Sequence, residues 1–199
     1  MEARSILPST SESDTLSNMK TYIALLRGIN VSGQKLIKMD ALRKALTELD
    51  FENVSTYIQS GNILFQSKTD DVKKLEKLIH DLIEKHFGFD VSVIVVTPQD
   101  LVDTMKSNPF ANDHIELPQP YVSFLSDVPT NENTAILKAI DFQKDRFEIV
   151  GKNLYIHYAD GAGQTKLSNA VIEKKLKLTS TARNWKTVLK LIELAEAIK

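Results

Sequence analysis

The chain has 199 residues, of which 42% are hydrophobic and 26% are charged, and it has no cysteine. This is the composition of an ordinary globular protein, and no apolar run approaches the ~18 residues that a membrane-spanning helix needs. Without cysteine the chain can form neither a disulfide framework nor a thiolate nucleophile, so we expect a cytoplasmic protein.

The net charge of −1 conceals an uneven distribution. The segment 164–190 contains seven lysines or arginines and one glutamate, a net charge of +6, so the rest of the chain carries about −7. We therefore expect a basic face on an otherwise acidic protein. Such a face leaves binding to a nucleic-acid backbone open, and a solvated lysine-rich surface is the alternative.

Residues 1–18 are polar, with one positive charge at Arg4 and no apolar core, so we expect no secretory signal in them. We expect them to be a disordered leader. Met19 opens the first apolar run and is the expected start of the folded part.

The first half of the folded chain predicts the element order βαββαβ. Runs of β-branched and apolar residues indicate strands, apolar residues at helical spacing indicate helices, and Ser60-Gly61-Asn62 indicates a hairpin turn. The predicted elements are strand 21–27, helix 40–49, strands 54–60 and 63–66, a helix from Asp70 or Asp71 to near Gly88, and strand 91–96. This is the ferredoxin-like order, an antiparallel sheet with two helices on one face. We expect the first subdomain to span residues 19–97.

A connecting helix and a second α+β subdomain follow. Thr97 and Pro98 have the chemistry of a helix start, and this helix should end before Pro109 and lead into a connection up to residue 120. The elements predicted beyond it are strand 121–125, helix 131–139, strands 147–150 and 154–158, helix 167–176 and a C-terminal helix. The order βαββαα lacks the last strand of the first half. The expected fold class is therefore α+β, with two ferredoxin-like subdomains at 19–97 and 121–199.

The stretch 179–187 combines hydroxyls, one guanidinium, one amide and the only tryptophan. Apolar residues recur at helical spacing from Trp185 onward, which predicts the C-terminal helix with Ser180 or Thr181 as its N-cap. The unpaired N–H groups of a first helical turn that also holds Arg183 would bind an anion.

Two glycine-containing stretches could be mistaken for nucleotide-binding loops. In 160–168, Thr165 and Leu167 flank Lys166, where a phosphate-binding P-loop needs glycine and a hydroxyl residue, so a glycine turn before a capped helix is favoured. In 27–33 the glycines are five residues apart, which does not match the dinucleotide fingerprint.

Catalytic machinery is not recognisable in the sequence. The four histidines show no metal-ligand spacing, and no nucleophile, general acid or general base can be singled out.

Tyr22 and Phe65 could take the places of the base-stacking aromatics of RNA-recognition modules. Residues 61–65 lack the basic residue and the aromatic pair of that motif, so a packed core is favoured.

Three stretches in this order resemble the domain-of-unknown-function family 1697: residues 25–33, residues 56–63, and Lys166-Leu167 together with residues 181–187. The resemblance covers nearly all of 19–199 and implies a bacterial cytoplasmic protein of two α+β subdomains with ferredoxin-like character. It implies no activity. The family has arginine and serine before the lysine, where this chain has Gln164 and Thr165. The polar motif residues of the family fall on Arg27, Asn30, Ser60, Asn62, Lys166, Arg183, Asn184 and Thr187.

We hypothesise that these eight residues, the motif residues, meet in a cleft between the halves and bind a small ligand that bears phosphate or carboxylate. Arg183 and Lys166 would hold the anion while Asn30 and Asn62 orient it, and Trp185 would anchor the core. Two alternatives stay open. The motif residues could instead join the halves through buried hydrogen bonds, or the chain could be a nucleic-acid- or protein-binding module without catalytic activity. No cofactor, metal or membrane is expected.

Overall fold

The computed structural model describes residues 19–111, 120–163 and 165–198. The predicted leader, most of the predicted connection before residue 120, and Gln164 lie outside these residues. The elements of the first half are β1 Lys20–Leu26, α1 Met39–Leu46, β2 Glu52–Tyr57, β3 Asn62–Ser67, α2 Val72–Phe87 and β4 Val93–Val96. They are followed by α3 Pro98–Lys106, β5 Tyr121–Leu125, α4 Asn131–Lys138, β6 Arg146–Val150, β7 Asn153–His157, α5 Asn169–Leu176, β8 Ser180–Asn184 and α6 Trp185–Glu196.

The first half forms a four-stranded antiparallel sheet in the order β2-β3-β1-β4. Alternate residues of β1 and β3 pack under α1 and α2 and form one apolar core with them. Tyr22 and Phe65 are 2% and 0% exposed within this core, so the packed-core interpretation is confirmed. The predicted order βαββαβ is therefore confirmed for this half.

The second half forms a matching sheet in the order β6-β7-β5-β8. The predicted C-terminal helix is present, but the prediction that Ser180 or Thr181 caps it is wrong, because Ser180–Asn184 is the strand β8, paired with β5 from Leu125↔Ser180 to Tyr121↔Asn184. Helix α6 begins only at Trp185, and its N-cap is Asn184 rather than Ser180 or Thr181. The apolar helical spacing also starts at Trp185, so nothing upstream could pack as a helix. The second half is thus βαββαβ followed by one helix.

The two sheets share a central core. One face of β1 packs with α3, α6 and the facing side of β5 and β7. The other face of the second sheet forms a separate core with α4 and α5. Each sheet is therefore covered on both faces, and the two halves are joined through buried apolar side chains.

The expected single basic face is not formed. Helices α5 and α6, which carry most of the lysines of 164–190, pack on opposite faces of the second sheet. Arg183 is buried and Lys190 is paired with Glu193. None of the helices within the described ranges is long and apolar enough to cross a membrane.

The position of Gly61, in the turn between β2 and β3, has no room for a side chain. Its φ is +78°, and an added Cβ would lie 2.6 Å from Leu26 Cβ and 2.9 Å from Ile29 Cδ1. The turn therefore approaches the end of β1 as closely as backbone alone permits.

We expect Gly61→Ala to lower the free energy of unfolding by about 2–4 kcal/mol, because left-handed strain and overpacking add together. Gly151→Ala is the matched control: its φ is +59°, but no atom lies within 4 Å of its added Cβ. It should cost only about 1–2 kcal/mol. Urea unfolding of both variants measures the difference, and equal losses would show that the close approach at Gly61 does not matter.

Candidate functional site

Arg183 lies in the middle of the contact between the halves at the carboxyl end of β1. Arg183 belongs to β8, where it is paired with Val122 of β5, and it is 6% exposed. The guanidinium crosses to the first half and reaches the end of β1 and the turn between β2 and β3.

Every nitrogen of the Arg183 guanidinium donates to a protein oxygen. Nε donates to Asn62 Oδ1 at 2.6 Å, and Nη1 donates to Thr181 Oγ1 and to the Ala182 carbonyl, both at 2.8 Å. Nη2 is shared among the carbonyls of Leu26, Ser60 and Gly61, at 2.9, 3.2 and 3.1 Å. The side chain thus has no donor left over for a ligand in this arrangement.

The charge of Arg183 is compensated by dipoles. Burial lowers the pKa of Arg183 to about 10, so the group stays protonated at neutral pH. Among the described residues no carboxylate pairs with it, and all its acceptors are carbonyl, amide or hydroxyl oxygens. A buried cation held in this way is costly to disturb, because each lost bond leaves a desolvated group.

Three motif residues of the first half support this arrangement. Asn62 is 0% exposed, and its Nδ2 donates to the Tyr57 carbonyl at 3.0 Å and to Ser60 Oγ at 3.1 Å, which fixes the oxygen that faces Arg183. Asn30 has a φ of +54° and bonds to both backbone groups of Ile37, closing the loop after β1. Asn30 Nδ2 also donates to the Gln59 carbonyl at 2.9 Å.

Arg27 joins the same end of the halves through an ion pair. Its Nε donates to Glu173 Oε1 at 2.6 Å, and its Nη2 pairs with the other carboxylate oxygen. Hydrogen bonding to Glu173 raises the pKa of Arg27. Glu173 Oε1 also accepts from the Ser180 N–H at 2.8 Å, so α5, β8 and the end of β1 are held by one carboxylate.

Asn184 and Thr187 form the start of α6. Asn184 Oδ1 accepts from the Thr187 N–H at 2.8 Å, which is an ordinary N-cap. Trp185 packs against the central core, in agreement with its expected role as an anchor.

Lys166 does not join the other motif residues. It is exposed and lines a separate cavity with Lys144, Asp145 and Thr165. The structure therefore brings Asn30, Ser60, Asn62 and Arg183 together, with Arg27 beside them. Their role in ligand binding stays a prediction, whereas their hydrogen bonds join the two halves.

A cleft lies between the halves at the opposite end of the first sheet. Strands β3 and β4 are both antiparallel to β1, so both end near its first residues, while the Arg183 contacts lie near its last. The cleft has a volume of about 680 Å³, within the range of small-molecule sites. Its walls are the start of α2, β4, α3, the end of β5 and the turn between β6 and β7.

We call this space the acidic cleft because of its lining. Its apolar floor includes Ile94, Val96 and Phe124. The charged lining residues are Asp70, Asp71, Lys73, Glu76, Asp100, Asp103 and Lys152, a net charge of −3. Lys20 pairs with Asp70 and Lys152 pairs with Asp127, so these two outer partners leave the balance unchanged.

The sequence identifies Asp70 or Asp71 only as the start of a helix, and it does not single out the other carboxylates of the cleft. Asp71 does cap α2, and Asp100 completes the capping box of α3. A signal was nevertheless present: in the predicted order βαββαβ the third and fourth strands run parallel, so the helix starts that follow them converge. In the described ranges no group of three or more His, Asp or Glu side chains could hold a metal ion.

The comparisons with known proteins identify the family. The sequence profile described as "Protein of unknown function (DUF1697)" matches residues 19–155. The chain belongs to this family. A solved structure of similar fold, described as conserved bacterial protein SP0830 from Streptococcus pneumoniae, is 25% identical with a TM-score of 0.72. The match covers 89% of this chain and 99% of that one, and the search of curated proteins gives no match.

The fold of the DUF1697 chain is therefore found again in a bacterial protein over both of its halves.

We expect Arg183→Met to lower the free energy of unfolding by about 3 kcal/mol or more, because several buried oxygens lose their donor. Arg43→Met is the matched control, since Arg43 bonds Thr56 and Asp40 but its side chain is 40% exposed. Its loss should be about 1 kcal/mol or less. Urea unfolding measures both, and a loss at Arg183 no larger than at Arg43 would contradict a joining role.

Proposed function

We propose that this protein binds a small cationic ligand with an apolar part, and that the site is the acidic cleft between its two halves. The observation that carries the proposal is the lining of the cleft: five carboxylates and two ammonium groups around an apolar floor. A cleft walled by low-dielectric protein strengthens the attraction between its carboxylates and an ammonium or guanidinium group. The floor would take the carbon chain of the same ligand.

The proposal is for binding rather than catalysis. Thr104 and Ser126 are the hydroxyl residues of the cleft lining. The Thr104 hydroxyl donates to the Asp100 carbonyl, and the Ser126 hydroxyl accepts from the Thr179 N–H. Within the described residues neither hydroxyl is bonded to a carboxylate or an imidazole, so no activated nucleophile supports an enzymatic reaction.

The anionic ligand predicted from the motif residues is the competing hypothesis. Its support is the positive charge of Arg183, which no carboxylate in the described residues neutralises and which would favour a nearby anion. Against it, the donors of Arg183 and the ion pair of Arg27 are already used, and Lys166 lies elsewhere. A basic nucleic-acid-binding face receives no support, because the lysines are divided between two faces of the second sheet.

Calorimetric titration with spermidine, and in parallel with inorganic phosphate and ATP, tests the proposal. We expect spermidine to bind and to bind more weakly as ionic strength rises, because the attraction is screened. The double variant Asp70→Asn, Asp103→Asn should weaken spermidine binding by about tenfold, since two of the cleft charges are removed.

Asp50→Asn is the matched control, because Asp50 is exposed and does not line the cleft. It should leave spermidine affinity unchanged. If phosphate or ATP binds and spermidine does not, the cationic proposal is wrong. Loss of that anion binding in Arg183→Lys would then assign the site to the motif residues.

A further inference from the structure

Strand β4 has one edge without a strand neighbour. It stands at the end of the order β2-β3-β1-β4, and within the described residues it pairs only with β1. An exposed strand edge presents backbone donors and acceptors to any extended chain that comes beside it. In this protein that edge borders the acidic cleft.

The register identifies which backbone groups lie on the free edge. The Val95 N–H donates to Glu76 Oε1 at 3.1 Å, so it points away from β1. The Ser92 carbonyl accepts from the Arg27 N–H, so Ser92 points toward β1. Because inward and outward groups alternate along an antiparallel strand, the N–H and C=O of Val93 and the C=O of Val95 also face the free edge. In the described part of the chain these groups have no backbone partner there.

Two cavities lie along this edge. The acidic cleft borders Ile94, Val95 and Val96, and a second cavity of about 380 Å³ borders Ser92 and Val93. They share the lining residues Lys73, Glu76, Ile94 and Ser126. The shared lining makes them two parts of one groove that follows the length of β4.

The two sides of the groove differ in chemistry. On the α2 side lie four carboxylates and two ammonium groups, a net charge of −2: Asp70, Asp71, Glu76 and Asp81 with Lys73 and Lys77. On the side of the central core lie the side chains of Ile94, Val96 and Phe124. An added strand would direct alternate side chains to these two sides. The groove thus matches a segment in which cationic and apolar residues alternate.

We infer that the groove binds an extended peptide segment of a partner protein, with alternating lysine or arginine and apolar residues, as an added strand on β4. The inference rests on the proposed function and specifies its ligand. The peptide backbone pairs with Val93 and Val95, its cationic side chains face the α2 carboxylates, and its apolar side chains cover the floor of the cleft.

Two existing contacts must yield when the strand is added. Lys73 Nζ reaches across the groove to the Ser126 carbonyl at 3.5 Å, a long bond from an exposed side chain. Glu76 Oε1 accepts a hydrogen bond from the Val95 N–H, and a peptide carbonyl can replace it as the acceptor. A peptide lysine would then pair with the released Oε1, while Glu76 Oε2 keeps its ion pair with Lys73 at 2.8 Å.

Fluorescence anisotropy with the labelled peptide acetyl-Val-Lys-Val-Lys-Val-amide tests this inference. The matched control is the same peptide N-methylated at every residue, which keeps charge and side chains but has no backbone N–H to donate to a strand edge. We expect the methylated peptide to bind at least tenfold more weakly, and the peptide with glutamate in place of lysine not to bind.

The variant Val93→Pro tests the same edge from the protein side. It removes an N–H that points away from β1, so the pairing with β1 is retained. The peptide should bind at least fivefold more weakly to this variant, and spermidine should bind as it does to the wild type. The methylated peptide keeps the test decisive if the variant does not fold.

The outcomes separate the two proposals. If spermidine binds and both peptides bind equally well, strand addition is overturned and the cationic cleft stands. If neither spermidine nor the lysine peptide binds, both proposals are overturned. If the parent peptide binds and the methylated one does not, strand addition on β4 is supported.

Discussion

The contact on which the rest of the structure depends is the buried guanidinium of Arg183. It donates to oxygens of β1, of the turn between β2 and β3, and of β8 itself. These acceptors are mostly backbone carbonyls, whose positions are set by the chain path rather than by side-chain rotamers. The turn must therefore lie against the end of β1, and Gly61 is the residue that permits this approach.

This contact and the acidic cleft are two consequences of one topology. The halves face each other through an apolar core, which is attractive but not directional. At the carboxyl end of β1 the guanidinium and the Arg27–Glu173 pair hold the halves together. At the other end the described residues make fewer hydrogen bonds across the gap, among them those of Asn153 and Tyr155 to Thr104 and of Lys73 to Ser126. The gap is left open as a cleft at that end.

Most elements of the fold could be predicted because apolar periodicity reports packing directly. The strand β8 could not, because its burial comes from polar contacts with the other half: Thr181 and Arg183 are 2% and 6% exposed, yet they are polar. Local sequence therefore resembled a helix cap. The contacts of the candidate site were likewise hard to predict, because they join residues that are distant in sequence. The pattern of residues identified Asn62 and Arg183 but not their contact with each other, and the oxygens that Arg183 meets in the first half belong to residues more than a hundred positions away.

The Arg183 contact is polar, and its hydrogen bonds have fixed directions that an apolar core lacks. Apolar packing has no preferred bond direction, whereas a guanidinium with fixed donor directions is satisfied in one arrangement only. Moving β8 relative to β1 would leave the Leu26 and Gly61 carbonyls and the Asn62 amide oxygen without their hydrogen-bond donor at the same time. Strand β5 is paired with β8, and the end of β5 lines the acidic cleft. The buried arginine thus holds, at the far end of the first sheet, the sheet whose strand β5 lines the cleft in which we place the ligand.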